Sequence, residues 1–208
     1  MTEAEWLACD DPEPMLRFLK APYPRKGRLF GCACCRRITA TLNDVGQKAI
    51  DAVEQFADGN ATQGDVLAVS PPKVTVEAYS DISFSRTAIS CLVELRDTPS
   101  VNWRYAYGWT AVVADNTQAE WRVQADFLRC IFGNPFRPVT FDPAWRTDTA
   151  LALARQMYEA REFSAMPILA DALQDAGCDN TDVLNHCRDA SQIHVRGCWV
   201  VDLVLGKE

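Results

Sequence analysis

Residues 166–181 read MPILADALQDAGCDNT, and the reading of this stretch decides the fold. Pro167 suits the first helical position, where the missing N–H would have had no partner anyway. The spacing predicts a helix over 167–175. Gly177 closes it, because glycine enters the left-handed conformation that ends many helices. Asn180 or Thr181 then caps a further helix over 181–188, its side-chain oxygen accepting from free backbone N–H groups.

The same grammar extends in both directions. Toward the C-terminus a last helix is expected over 194–205. Upstream, Asp142-Pro143 is a cap followed by proline, ahead of a helix over 149–158. Residues 133–138, Gly-Asn-Pro-Phe-Arg-Pro, form a clear break. Residues 103–131 read as two helices parted near Asp115-Asn116, with Asn116 or Thr117 capping the second. At the N-terminus Thr2 and Glu5 form a capping box, and Asp11-Pro12 restarts the chain as a second helix. Pro22 and Pro24 interrupt it. A third helix is expected over 27–42, a fourth after Asn43-Asp44 that stops at Gly59, and a brief one over 62–69 before Pro71-Pro72. Residues 73–80 alternate like a strand, but one strand has nothing to pair with, so they lead into a helix over 81–96. The fold class is therefore all-α: one compact multi-helix domain over 1–208, with short helices, Pro-rich connections and a sub-domain seam near 97–102 or 133–142.

Composition narrows the class. Of 208 residues, 48% are hydrophobic and 24% charged, which suits a globular core and excludes general disorder. A net charge of -7 argues against nucleic acid or an anionic membrane as the overall partner. The acidic start lacks the basic and apolar regions of a secretory signal, and the stretch 198–205 is far too short to span a bilayer. The nine cysteines are odd in number in a chain of ordinary size, so reduced thiols in a cytoplasm are expected rather than a disulfide framework.

Several phrases occur together: MTEAEWLACDDPEPMLRFL (1–19), RLFGCACCRR (28–37), FGNPFRPVTFDPAW (132–145), MPILADALQDAGC (166–178) and HVRGCWVVDLVLGKE (194–208). In these the chain resembles a family of short proteins of no known activity abundant in planctomycete bacteria. The resemblance implies a bacterial cytoplasmic setting and carries over no functional residue.

Four places offer chemistry. Cys32 and Cys35 share a helix face, and His194 and Cys198 are four apart on another expected helix. Together they make a three-Cys, one-His tetrahedral zinc set joining the N- and C-terminal helices, with His186 and Cys187 as alternates. Against this stands the common role of cysteine as a small buried hydrophobe. Second, Cys35 precedes Arg36 and Arg37, and cations favour a thiolate, but a mid-helix thiol without a strand-to-helix setting is a poor redox centre. Third, Arg25, Lys26, Arg28, Arg36 and Arg37 form a local basic segment able to take an anion or an acidic partner. The acids Glu3, Glu5, Asp10, Asp11 and Glu13 are its expected internal counterweight. Fourth, Phe136, Phe141 and Trp145 surround Arg137 in a loop that either lines a groove or pins itself to the core. No triad, phosphate loop or dinucleotide turn appears, so no catalytic residue is assigned. The functional expectation is a non-enzymatic binding or adaptor module with a protein partner and no membrane, the alternative being a zinc-binding protein; the cofactor is none or zinc.

Overall fold

The computed structural model describes residues 1–19, 23–38, 44–69 and 117–207. Among them are ten α-helices and no strand, so the described residues are all-α. The helices are α1 Glu3–Ala8, α2 Pro12–Leu19, α3 Pro24–Arg37, α4 Asp44–Ala57, α5 Gln63–Ala68, α6 Thr117–Phe132, α7 Asp148–Ala160, α8 Met166–Asp175, α9 Thr181–Arg188 and α10 Trp199–Leu205. A 3-10 turn covers Pro143–Trp145. None of the helices in the described residues is long and apolar enough to cross a membrane.

Local chemistry sets most of the helix starts. Thr2 and Glu5 exchange capping bonds, Thr2 N–H to Glu5 Oε2 at 2.7 Å and Glu5 N–H to Thr2 Oγ1 at 3.2 Å. Asp11 accepts from Glu13 N–H, Asp142 from Ala144 N–H, and Asn180 from the N–H groups of Asp182 and Val183. Several boundaries differ from expectation: α3 ends at Arg37 with Ile38 as its cap, short of 42, and α8 begins at Met166, so that Pro167 is its second residue. α3 begins at Pro24 rather than Gly27, because Pro24 sits at the first helical position instead of ending the interruption. α10 begins only at Trp199; the five residues before it form a turn in which Cys198 N–H donates to Val195 O at 2.9 Å and Gly197 has φ +89°. The expectations over 70–116 lie outside the described residues.

The chain divides into two units, and the division falls inside α6, between Ala125 and Asp126. The expected seam at 133–142 lies instead within the second unit, and 97–102 is outside the described residues. The first unit contains residues 8–125. Its α3 and α4 pack together, burying Cys32, Cys35, Ile38, Ala49, Ile50 and Val53, with Val66 of α5 against them. The second unit contains residues 2–7 and 126–208. Here α7 packs on α8 and α10, and α9 on α8 and α10. The core includes Ala154, Met157, Leu169, Leu173, Val183 and Val201. Trp6 of α1 is fully buried and its indole N–H donates to Gly133 O at 3.2 Å.

Candidate metal centre

The second unit gathers Cys130, His186, His194 and Cys198, whose ligand atoms all lie within 4.8 Å of one another. They arrive from three places in the chain. Cys130 is in the last turn of α6, with Gly133 ending the helix at φ +66°. His186 lies in the last turn of α9. His194 and Cys198 flank the Val195-Arg196-Gly197 turn, and Cys198 is the residue from which α10 starts. A tight turn presents two side chains to one point in a way a continuing helix would not, and positive φ at Gly197 makes the reversal cheap.

The geometry suits a tetrahedral ion. Cys198 Sγ lies 3.2 Å from His186 Nε2 and 3.8 Å from His194 Nδ1. Zinc bonds of about 2.3 Å to sulfur and 2.0–2.1 Å to nitrogen at tetrahedral angles require an S–N edge of about 3.5 Å. The two observed edges straddle that length. Both sulfurs are fully buried, whereas the two imidazoles are half-buried. The His186 and His194 rings meet edge to face at 4.9 Å. Val195 N–H donates to Cys130 Sγ at 3.4 Å, a bond that favours a thiolate acceptor.

The two thiols are electrostatically unequal. Burial raises the Cys198 pKa, but the Cys130 thiol and the two histidines outweigh it and hold Cys198 well below the ordinary thiol value. Burial and the neighbouring Cys198 push Cys130 well above that value. A divalent ion bound by both sulfurs would favour the thiolate form of each.

His194 and Cys198 of the expected set are therefore brought together, as is the alternate His186. Cys32 and Cys35 are not in the group. Both are fully buried on α3 in the core of the first unit, and the Cys32 thiol faces Ile50 O at 4.0 Å. They serve the tight α3–α4 packing. Cys130 and the alternate His186 take the places assigned to them, and Cys130 has no neighbouring ligand in sequence to announce it. Cys187 also stays out. Adjacent helix residues point about 100° apart, and Cys187 faces the core, where burial first and then Cys198 raise its pKa.

The other candidates resolve into packing. Arg25 pairs with Asp58 at 2.9 Å, Arg36 with Glu54 and Asp51 at 2.7 Å each, and Arg37 with Glu120 at 3.2 Å. These pairs are thus internal, made with acids of α4 and with Asp58 and Glu120. Arg28 lies over the Phe56 ring at 4.8 Å, and Lys26 lies in the first turn of α3. Cys35 is fully buried, and burial followed by its neighbour Cys35 pushes the Cys34 thiol far up. In the 134–145 loop, Phe141 and Trp145 meet edge to face at 5.4 Å and pack on the core. Arg137 pairs with Glu3 at 2.6 Å and with Asp182 at 3.8 Å, so the loop is pinned. Beside it a cleft of about 230 Å³ is walled by Trp6, Trp199 and His186.

Comparison of the chain with protein-family models, with curated proteins and with solved structures returns no match.

Proposed function

We propose that the protein binds one zinc ion through Cys130 Sγ, His186 Nε2, His194 Nδ1 and Cys198 Sγ, and that the ion clips the second unit together. The observation that carries this reading is the convergence of those four ligand atoms within 4.8 Å from three separate places in the chain. The donor set favours zinc because a closed-shell, borderline-soft ion accepts thiolate and imidazole together and imposes no geometry of its own. Four protein ligands leave no open position, which is the pattern of a structural site.

A thiol enzyme built on the Cys198–His186 pair is disfavoured, since the sulfur is fully buried and the cleft is lined by His186 but not by Cys198. The functional role we assign is that of a metal-stabilised helical binding module with a protein partner. A reducing, bacterial cytoplasmic setting is part of the same proposal; it rests on the odd number of nine cysteines in the sequence and on the family resemblance. The planctomycete kinship suggested by the sequence belongs to the same proposal.

The test is elemental analysis of protein purified without chelator. About one equivalent of zinc is expected, removable by a strong chelator or by acid, because the thiolates and imidazoles must stay deprotonated to ligate. Protein that carries no metal and takes up none on titration with zinc would end the proposal.

A further inference from the structure

Five consecutive residues make the ligand turn, and four of them have roles already described. His194 and Cys198 converge on the candidate centre, Val195 donates its N–H to Cys130 Sγ, and Gly197 takes positive φ. Arg196 remains. It is charged, sits between two ligands, and is only 8% exposed. A buried cation is costly unless the surroundings compensate it, so its position calls for an explanation.

One contact of its side chain lies on α7. The Arg196 guanidinium stands 4.5 Å from the centre of the Tyr158 ring. Tyr158 is itself buried, in the core formed with Ala154 and Met157 of the same helix and Val200, Val201 and Val204 of α10. The Lys207 ammonium lies 4.9 Å from the same ring. A flat guanidinium on an aromatic face holds both distance and plane, which a flexible alkyl chain does not. The turn carrying two of the four ligands is therefore fixed at its middle to a helix that supplies no ligand.

We infer that Arg196 and Tyr158 are positioning residues of the metal centre: their stacking holds the 194–198 turn in ligating geometry before the ion arrives. The inference rests on the zinc reading above. A turn that is already ordered loses less freedom on binding, so the ion binds more tightly. Outer-sphere partners of metal ligands act in the same direction, and their removal typically costs about 10–100-fold in affinity.

The experiment measures zinc affinity of the full chain by competition with a chromogenic chelator, with circular dichroism on the same samples and the cobalt-substituted spectrum as a report on geometry. Wild-type protein is titrated first; failure to bind there would overturn the zinc reading itself and not only this inference. Given binding, Arg196→Met and Tyr158→Leu are each expected to weaken it about tenfold or more while helicity persists, and to distort the tetrahedral cobalt bands. Wild-type affinity in either folded variant overturns the inference. Should those variants unfold, the conservative pair decides. Tyr158→Phe keeps the ring and should bind like wild type, whereas Arg196→Lys loses the flat stacking group and should bind more weakly. Equal affinity of Arg196→Lys and wild type, or loss in Tyr158→Phe alone, contradicts the role assigned.

Discussion

Replacing Cys130 by alanine separates the observed ligand set from the one suggested by local spacing. Zinc that binds only the native state stabilises it by about 2.7 kcal/mol when free ion is at one hundred times the dissociation constant. The second unit, residues 2–7 with 126–208, is a domain of the size for which each kcal/mol moves Tm by about 4–8 °C. The zinc-loaded protein should therefore melt about 10–20 °C above the chelator-treated protein. Cys130→Ala removes one of the two sulfur ligands and should erase most of that difference. Cys32→Ala perturbs only the α3–α4 packing in the first unit. It should lower stability by about 1 kcal/mol, as a typical core change does, yet leave the zinc-dependent shift intact. Scanning calorimetry in zinc-buffered and chelator-containing solution reads both quantities. A shift that survives in Cys130→Ala and vanishes in Cys32→Ala would refute the reasoning.

Three further outcomes follow from particular contacts. Gly133→Ala should cost about 1–3 kcal/mol in a denaturant titration, because φ is +66° there and an added Cβ would sit 3.2 Å from the Trp199 ring; an unchanged midpoint would contradict the packing described. Arg36→Glu with Arg37→Glu should destabilise well beyond the roughly half kcal/mol of an ordinary surface change, since Glu54 and Glu120 are buried beside them at 2% and 5% exposure; wild-type stability would return these arginines to the solvent-facing role. Burial holds the Cys34 thiol neutral in the folded protein, while an unfolded thiol ionises near about pH 8.5. Its contribution is complete below that pH and is lost progressively as the pH rises above it, because the unfolded state then binds fewer protons. Tm measured across the alkaline range should fall, less steeply in Cys34→Ala, and identical slopes would contradict the assignment.

Helix existence was legible because its signals are local. Thr2 with Glu5, Asp11, Asp142 and Asn180 act within three residues of themselves, and all four show the capping bonds their side chains suggest. Of the four residues in the candidate site, the sequence pointed to His194 and Cys198 and, as an alternate, His186, but not to Cys130. His194 and Cys198, four apart, read as one helix face, although the pair works through a turn; the signal was Gly197 directly before Cys198. Cys130 carries no local signal at all, since 56 residues separate it from His186 and only the packing of α6 with the rest of the second unit brings them together. The same physics explains the arginines of α3. For Arg36 the nearest acid in sequence is Asp44, but the helical hairpin lays α4 alongside α3, so Asp51 and Glu54, further along α4, are the acids that pair with it.

X-ray absorption at the zinc edge of the loaded protein tests the central claim most directly, because it counts ligands by element and distance. The account predicts two sulfurs at about 2.3 Å and two imidazole nitrogens at about 2.0–2.1 Å. A shell of oxygen and nitrogen without sulfur, or one of three sulfurs and a single nitrogen, would contradict the assignment of Cys130, His186, His194 and Cys198 as the ligands.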